Sequence, residues 1–217
     1  MPEGLAMPLP EGARPVARIA AGDARARTIG VLCALAIVFL FSGFTLVSRL
    51  GLSSHLNPID VAALRFGVAG LILLPVLLKH GLAGLTWRQA LALAFFGGWG
   101  FALFAFTGFA LAPAAHGGVL LHGALPLFTF VIGLLAAPMP ASRWRTVSLV
   151  AILTGILAMA WDSTIGATRR QLLGDGALLL ASICWAAYGL QVRRLGLAPV
   201  HAAALVAVLS MVLFLPV

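Results

Sequence analysis

Charge is what this sequence has least of. Only 9% of its 217 residues are Asp, Glu, Lys or Arg, where soluble domains carry about a quarter. That scarcity excludes an ordinary soluble domain, and the apolar content excludes a disordered or collagen-like chain. Acidic residues are fewest: Glu3, Glu11, Asp23, Asp60, Asp162 and Asp175. No two Asp residues, and no His-Glu pair, fall inside an apolar run, which leaves intramembrane aspartyl or metalloprotease chemistry without its groups. Lysine is almost absent. Lys79 is the one lysine and stands at the end of an apolar run, so there is no mid-helix amine for a retinal Schiff base. Two cysteines, Cys33 and Cys184, make no disulfide framework; in apolar runs a free thiol is a small hydrophobe.

What the chain has is apolar length. Hydrophobic residues make up 62% and the mean hydropathy is +1.09. A bilayer crossing takes roughly 20 apolar residues, and seven runs qualify, at about 29–48, 58–78, 89–110, 116–137, 146–161, 176–192 and 200–217. In lipid each must be a helix, because backbone groups have no water to bond. The fifth run is short, with Trp144 and Trp161 placed to sit at the two interfaces. Residues 1–28 differ: Pro2, Pro8, Pro10 and Pro15 alternate with Arg14, Arg18, Arg25 and Arg27. They read as a disordered cytoplasmic tail rather than a signal peptide, since the following apolar run exceeds a typical signal core.

The net charge of +8 suggests nucleic acid, but its distribution does not. The basic residues stand in small groups between apolar runs, the pattern of orientation signals rather than of a phosphate-binding face. With the N-terminus inside, ten lie on the inner side: Arg14, Arg18, Arg25, Arg27, Lys79, Arg88, Arg143, Arg145, Arg193 and Arg194. Arg49, Arg169 and Arg170 are the three on the outer side. That bias predicts a cytoplasmic N-terminus.

The sequence also repeats. Arg49-Leu50-Gly51-Leu52 returns as Arg194-Leu195-Gly196-Leu197, Ala62-Ala63-Leu64 as Ala203-Ala204-Leu205, and Leu74-Pro75-Val76 as Leu215-Pro216-Val217. The copies begin at the first and the sixth run. Five spans is an odd number, so the second copy enters the membrane from the opposite side, as in the inverted repeats of secondary transporters. Only two runs of that second copy lie before Val217, which reads as a repeat about three spans short.

Several motifs resemble the drug/metabolite transporter superfamily, in its EamA-like ten-helix branch. These are Phe41-Ser42-Gly43-Phe44…Arg49…Asn57-Pro58…Ala63-Leu64-Arg65-Phe66, then Ala112-Pro113-Ala114…Pro126-Leu127-Phe128-Thr129, then Gly174-Asp175-Gly176-Ala177-Leu178…Trp185-Ala186-Ala187-Tyr188. The resemblance covers roughly 29–217. It implies movement of small metabolites, often amino acids or related compounds, commonly outward. Two departures stand out: the family's Gly-Glu-Arg turn is replaced by Ala137-Pro138-Met139-Pro140, and the repeat counterpart of Arg65 is Val206.

Arg65 is the sharpest single feature. It lies seven residues past Pro58, about 10 Å into its helix. A charge at that depth is costly and marks either a substrate site or a brace against a neighbouring helix. Asp60, five residues away, lies nearly opposite on the helix and is a poor partner. His116 and His122 stand about 120° apart on a regular helix, so they cannot share a metal. His122 reads as a helix contact or a substrate or proton group. Ser42 and Thr45 fall near the level of Arg65 and either bond their own helix or join a polar cluster with it. Trp99, Trp185, Tyr188 and Gln191 either pack or line the middle and inner parts of a cavity. Gly97, Gly98, Gly100, Gly117 and Gly118 read as points of close helix approach. No carboxylate is evident within a span to carry protons.

The sequence thus reads as an all-α polytopic transmembrane bundle with inverted five-helix repeats, the second truncated. Residues 1–28 form the tail, 29–161 the first repeat and 174–217 the start of the second. The expected protein is a multi-pass transporter of a bacterial inner membrane, working by alternating access. It is not an enzyme, and has no catalytic residue, cofactor or metal. Its expected partners are a small-molecule substrate and the lipid bilayer, not nucleic acid. The expected substrate-binding residues are Arg65, His122, Ser42, Thr45, Trp99, Trp185, Tyr188 and Gln191. The different-class alternative is a truncated, non-transporting or sensor-type protein of seven spans.

Overall fold

The computed structural model describes residues 24–53, 56–82, 84–136, 143–164 and 168–214. Among the described residues, helix is the regular structure and there is no strand. We number the helices α1 (Ala24–Ser53), α2 (Pro58–His80), α3 (Trp87–Leu111), α4 (Ala114–Leu135), α5 (Arg143–Thr164), α6 (Arg169–Arg194) and α7 (Pro199–Phe214). By length and composition α1, α2, α3, α4 and α6 can cross a membrane. α7 is shorter, at 16 residues. α5 spans 22 residues rather than the short run expected, with Arg143 and Arg145 in its first turn. The expected tail lies outside the described residues except for its end, where α1 has already begun. The Ala137–Pro140 motif and the last repeat block, 215–217, also lie outside them.

Helix starts are fixed by local chemistry. At α2 the Asn57 side chain accepts from the amides of Ile59 and Asp60, and Asp60 accepts from the amide of Asn57. This reciprocal cap satisfies N–H groups that have no intrahelical partner. Thr86 and Gln89 do the same for α3. Thr168 caps α6 through the amide of Gln171. That cap moves the start of α6 seven residues ahead of the expected position 176, and puts Arg169 and Arg170 in a helical turn rather than a loop.

The chain divides into two compact units, Met1–Phe44 and Thr45–Val217. The described part of the first is the forward portion of α1. Its apolar side chains stand exposed, Phe39 at 80% and Leu40 at 69%, a surface suited to lipid rather than water.

The second unit is organised around two antiparallel helix pairs. α3 lies along α6, with Ala112 against Gly174, Gly108 against Leu178, Phe101 against Trp185 and Gly97 against Tyr188. α2 lies along α7, with Phe66 stacked on Phe214, Gly70 against Met211 and His80 edge-on to His201. In lipid the hydrophobic effect gives helices little reason to associate, so close packing must supply it. Glycine supplies the closeness. A Cβ on Gly174 would lie 2.7 Å from the Ala112 amide nitrogen, and one on Gly108 would lie 2.6 Å from Leu178. Of the expected contact glycines, Gly97, Gly98, Gly100 and Gly117 are tightly covered, whereas a Cβ on Gly118 would meet nothing within 4 Å.

Two helices change pitch midway. α3 carries a π-helical turn at Phe95–Trp99, with Gly98 at φ −121°, ψ −112°, well off helical values. α4 carries another at Gly117–Gly123. Such turns kink a helix and re-aim the side chains beyond them.

Candidate functional site

Arg65 lies in α2 beside Phe66, on the side facing α3. Its guanidinium carbon lies 5.4 Å from the centroid of the Phe66 ring and 5.7 Å from that of Phe101, within cation–π range. Phe101, on α3, is 4% exposed. It contacts Trp185 of α6 at 4.8 Å between centroids, and Trp185 contacts Tyr188 at 5.3 Å. Tyr188 in turn lies on Gly97, where a larger residue would displace it. A half-buried arginine thus heads a row of aromatic rings that crosses from α2 through α3 to α6. In a site where water is scarce, such a row favours a planar or anionic group near the guanidinium.

Three of the expected site residues, Arg65, Trp185 and Tyr188, are therefore linked, through Phe101, which the sequence did not single out. Gln191 is half-buried one turn beyond Tyr188 on α6. Trp99 packs in another aromatic group, its ring 4.6 Å from that of Phe95. His122 is half-buried, with Nδ1 3.2 Å from the carbonyl oxygen of Gly117 within the π-helical turn. Thr45 is half-buried in the second unit; Ser42 belongs to the first, where it is exposed. Asp60 is engaged in its own helix cap.

Two further polar features were not anticipated. Arg49 donates from Nη1 to the carbonyl oxygen of Phe109 at 2.6 Å, and also to that of Ala112. These carbonyls end α3 and have no helical donor of their own, so a cation there closes the helix end. Nearby in sequence, His116 Nδ1 lies 2.7 Å from Asp175 Oδ1, each side chain 14% exposed. The sequence placed Asp175 just ahead of its apolar run, whereas the structure puts it inside helix α6. Asp175 is six residues into α6, about 9 Å along the helix, because the Thr168 cap starts α6 early. The pair joins residues 59 apart, a separation at which sequence spacing gives no signal. Among the described residues, no three His, Cys, Asp or Glu side chains are grouped to hold a metal.

Long apolar helices, close-packed through glycine around a half-buried arginine and its aromatic row, define a multi-pass helical membrane protein. The model of the EamA-like transporter family matches residues 28–161. The chain belongs to that family, and so to the transporters of the drug/metabolite type. Comparison with curated proteins and with solved structures gives no match.

Proposed function

We propose that the protein moves small metabolites bearing an anionic group, amino acids or related compounds, outward across a bacterial inner membrane. The observation that carries this reading is the row Arg65–Phe101–Trp185–Tyr188. Arg65 holds the carboxylate with two parallel hydrogen bonds, and Trp185 and Tyr188 flank the rest of the solute. His122, Thr45 and Gln191 complete the lining, and Trp99 supports α3 from its packing on Phe95. The repeated blocks at 49 and 194 support inverted repeats, and with them alternating access by rocking of the two halves.

The test is an export screen in cells lacking their own amino-acid exporters. Arg65→Ala should abolish export at matched membrane expression, and Arg65→Lys should weaken it about tenfold or more, because an ammonium cannot reproduce the fork. Equal export by wild type and Arg65→Ala removes the substrate role. A variant that inserts but does not fold assigns Arg65 to bracing.

The orientation is proposed from the ten-to-three bias of basic residues. A reporter fused after His80 should read as cytoplasmic and one fused after Asn57 as external. The opposite pattern reverses the topology.

A further inference from the structure

Three helices of the second unit converge on a cleft of about 640 Å³. α5 offers one face, at 145, 148, 149 and 152; α4 offers another, at 125, 126, 129 and 130; α6 adds Leu190 and Arg193. The cleft is chemically graded. At its mouth stand Arg145 and Arg193, both exposed, where α5 begins and α6 ends. Deeper in, Leu149, Ile152, Leu190 and Pro126 give apolar walls. From Arg145 to Ile152 is seven residues of helix, about 10 Å. The Ser148 hydroxyl donates to the Trp144 carbonyl oxygen, and the Arg145 guanidinium lies 5.9 Å from the Phe130 ring, a contact that leaves its N–H edge able to meet an anion.

We propose that this cleft binds an anionic phospholipid, its phosphate between Arg145 and Arg193 and the upper part of an acyl chain against the apolar walls. Basic pockets between spanning helices suit such headgroups. A soluble anion would satisfy the arginines but leave some 10 Å of apolar wall uncovered, whereas an amphiphile fills both parts. A second copy of the chain is a poor occupant. Of the carboxylates whose side chains are described, Asp60 is held in its helix cap and Asp175 by His116, both at the other end of their helices. Among the described residues the end where the cleft opens is basic, with Lys79, Arg88, Arg143, Arg145, Arg193 and Arg194 there. The binding does not depend on the transport reading.

The experiment is native mass spectrometry of the 217-residue chain released from neutral detergent with equal phosphatidylglycerol and phosphatidylcholine. Wild type should retain one phosphatidylglycerol in preference to phosphatidylcholine by about tenfold or more. Arg145→Gln with Arg193→Gln should lose that preference. Arg143→Gln with Arg194→Gln removes the same charge at the same end, outside the cleft lining, and should keep it. Ile152→Trp, with both arginines intact, should expel the lipid by filling the wall, which keeps the test decisive if the double variant folds poorly. Millimolar inorganic phosphate should not displace the lipid. Equal retention of both lipids, equal loss in the two arginine pairs, displacement by phosphate, or a lipid-free dimer would each overturn the assignment.

Discussion

Where α3 finishes and α6 begins, two polar side chains are answered from inside the protein, Arg49 donating to the last carbonyls of α3 and His116 meeting Asp175, while Arg169 and Arg170 stand exposed. At the opposite end Arg143, Arg145, Arg193 and Arg194 stand exposed, Arg145 with its guanidinium over the Phe130 ring. The difference follows from how closely the helices approach. At the first end Gly174 brings the backbone of α6 onto Ala112, which places Asp175, the next residue, within reach of the chain that turns into α4. At the second end a cleft opens between α4, α5 and α6, lined by Arg145 and Arg193, with the Arg145 guanidinium 5.9 Å from the Phe130 ring. The His116–Asp175 contact therefore depends on the glycine contact, which brings the two segments together.

The strongest way to break this contrast is to force the tight end apart. A Cβ on Gly174 meets backbone atoms, the Ala112 nitrogen at 2.7 Å and the Leu111 carbonyl carbon at 2.9 Å, and backbone cannot swing aside as a side chain can. Gly174→Leu should separate α6 from α3 and cost about 3 kcal/mol or more, at or beyond the upper range for overpacking. Gly176 is the control on the same helix, since a Cβ there meets nothing within 4 Å. Gly176→Leu should be neutral or slightly stabilising, as leucine is the better helix former. Unfolding in detergent, followed by circular dichroism, measures both. Equal stability of the two variants would remove the close approach as the organising contact.

Much of this fold was legible in the sequence because lipid makes the rules strict. Apolar runs of the right length must be helices, so the seven helices among the described residues were located, although α1, α5 and α6 proved longer than their runs. The early start of α6 was written as Thr168 followed three residues later by Gln171, the same pattern that caps α3 at Thr86 and Gln89. Arg65 was legible because a buried charge in lipid is rare enough to stand out. Its neighbour Phe101 was not, since a phenylalanine in an apolar run looks like every other core residue. The π-helical turns in α3 and α4 shift the phase of the helix, so angular separations computed for a regular helix, such as that of His116 and His122, do not describe the faces those residues occupy. The His116–Asp175 and Arg49–Ala112 contacts join segments some 60 residues apart, and only the packed helices bring them together.

A gentler change sharpens the same comparison. At 2.7 Å and 14% exposure, the His116–Asp175 contact is short, charge-assisted and largely shielded from solvent. Removing one partner of such a contact leaves the other short of a hydrogen bond in a poorly hydrated place, a loss of about 1–3 kcal/mol. Asp175→Ala should lower the unfolding free energy by that amount. Asp175→Asn should lose less, because an amide oxygen can still accept from the imidazole at the same position. His116→Ala should cost about as much as Asp175→Ala, and the double variant little more than either single one, since the second change removes a group that has already lost its partner. If the two single losses add in full, the residues do not act on each other. The tight end would then be held by the Gly174 contact and the Arg49 cap alone.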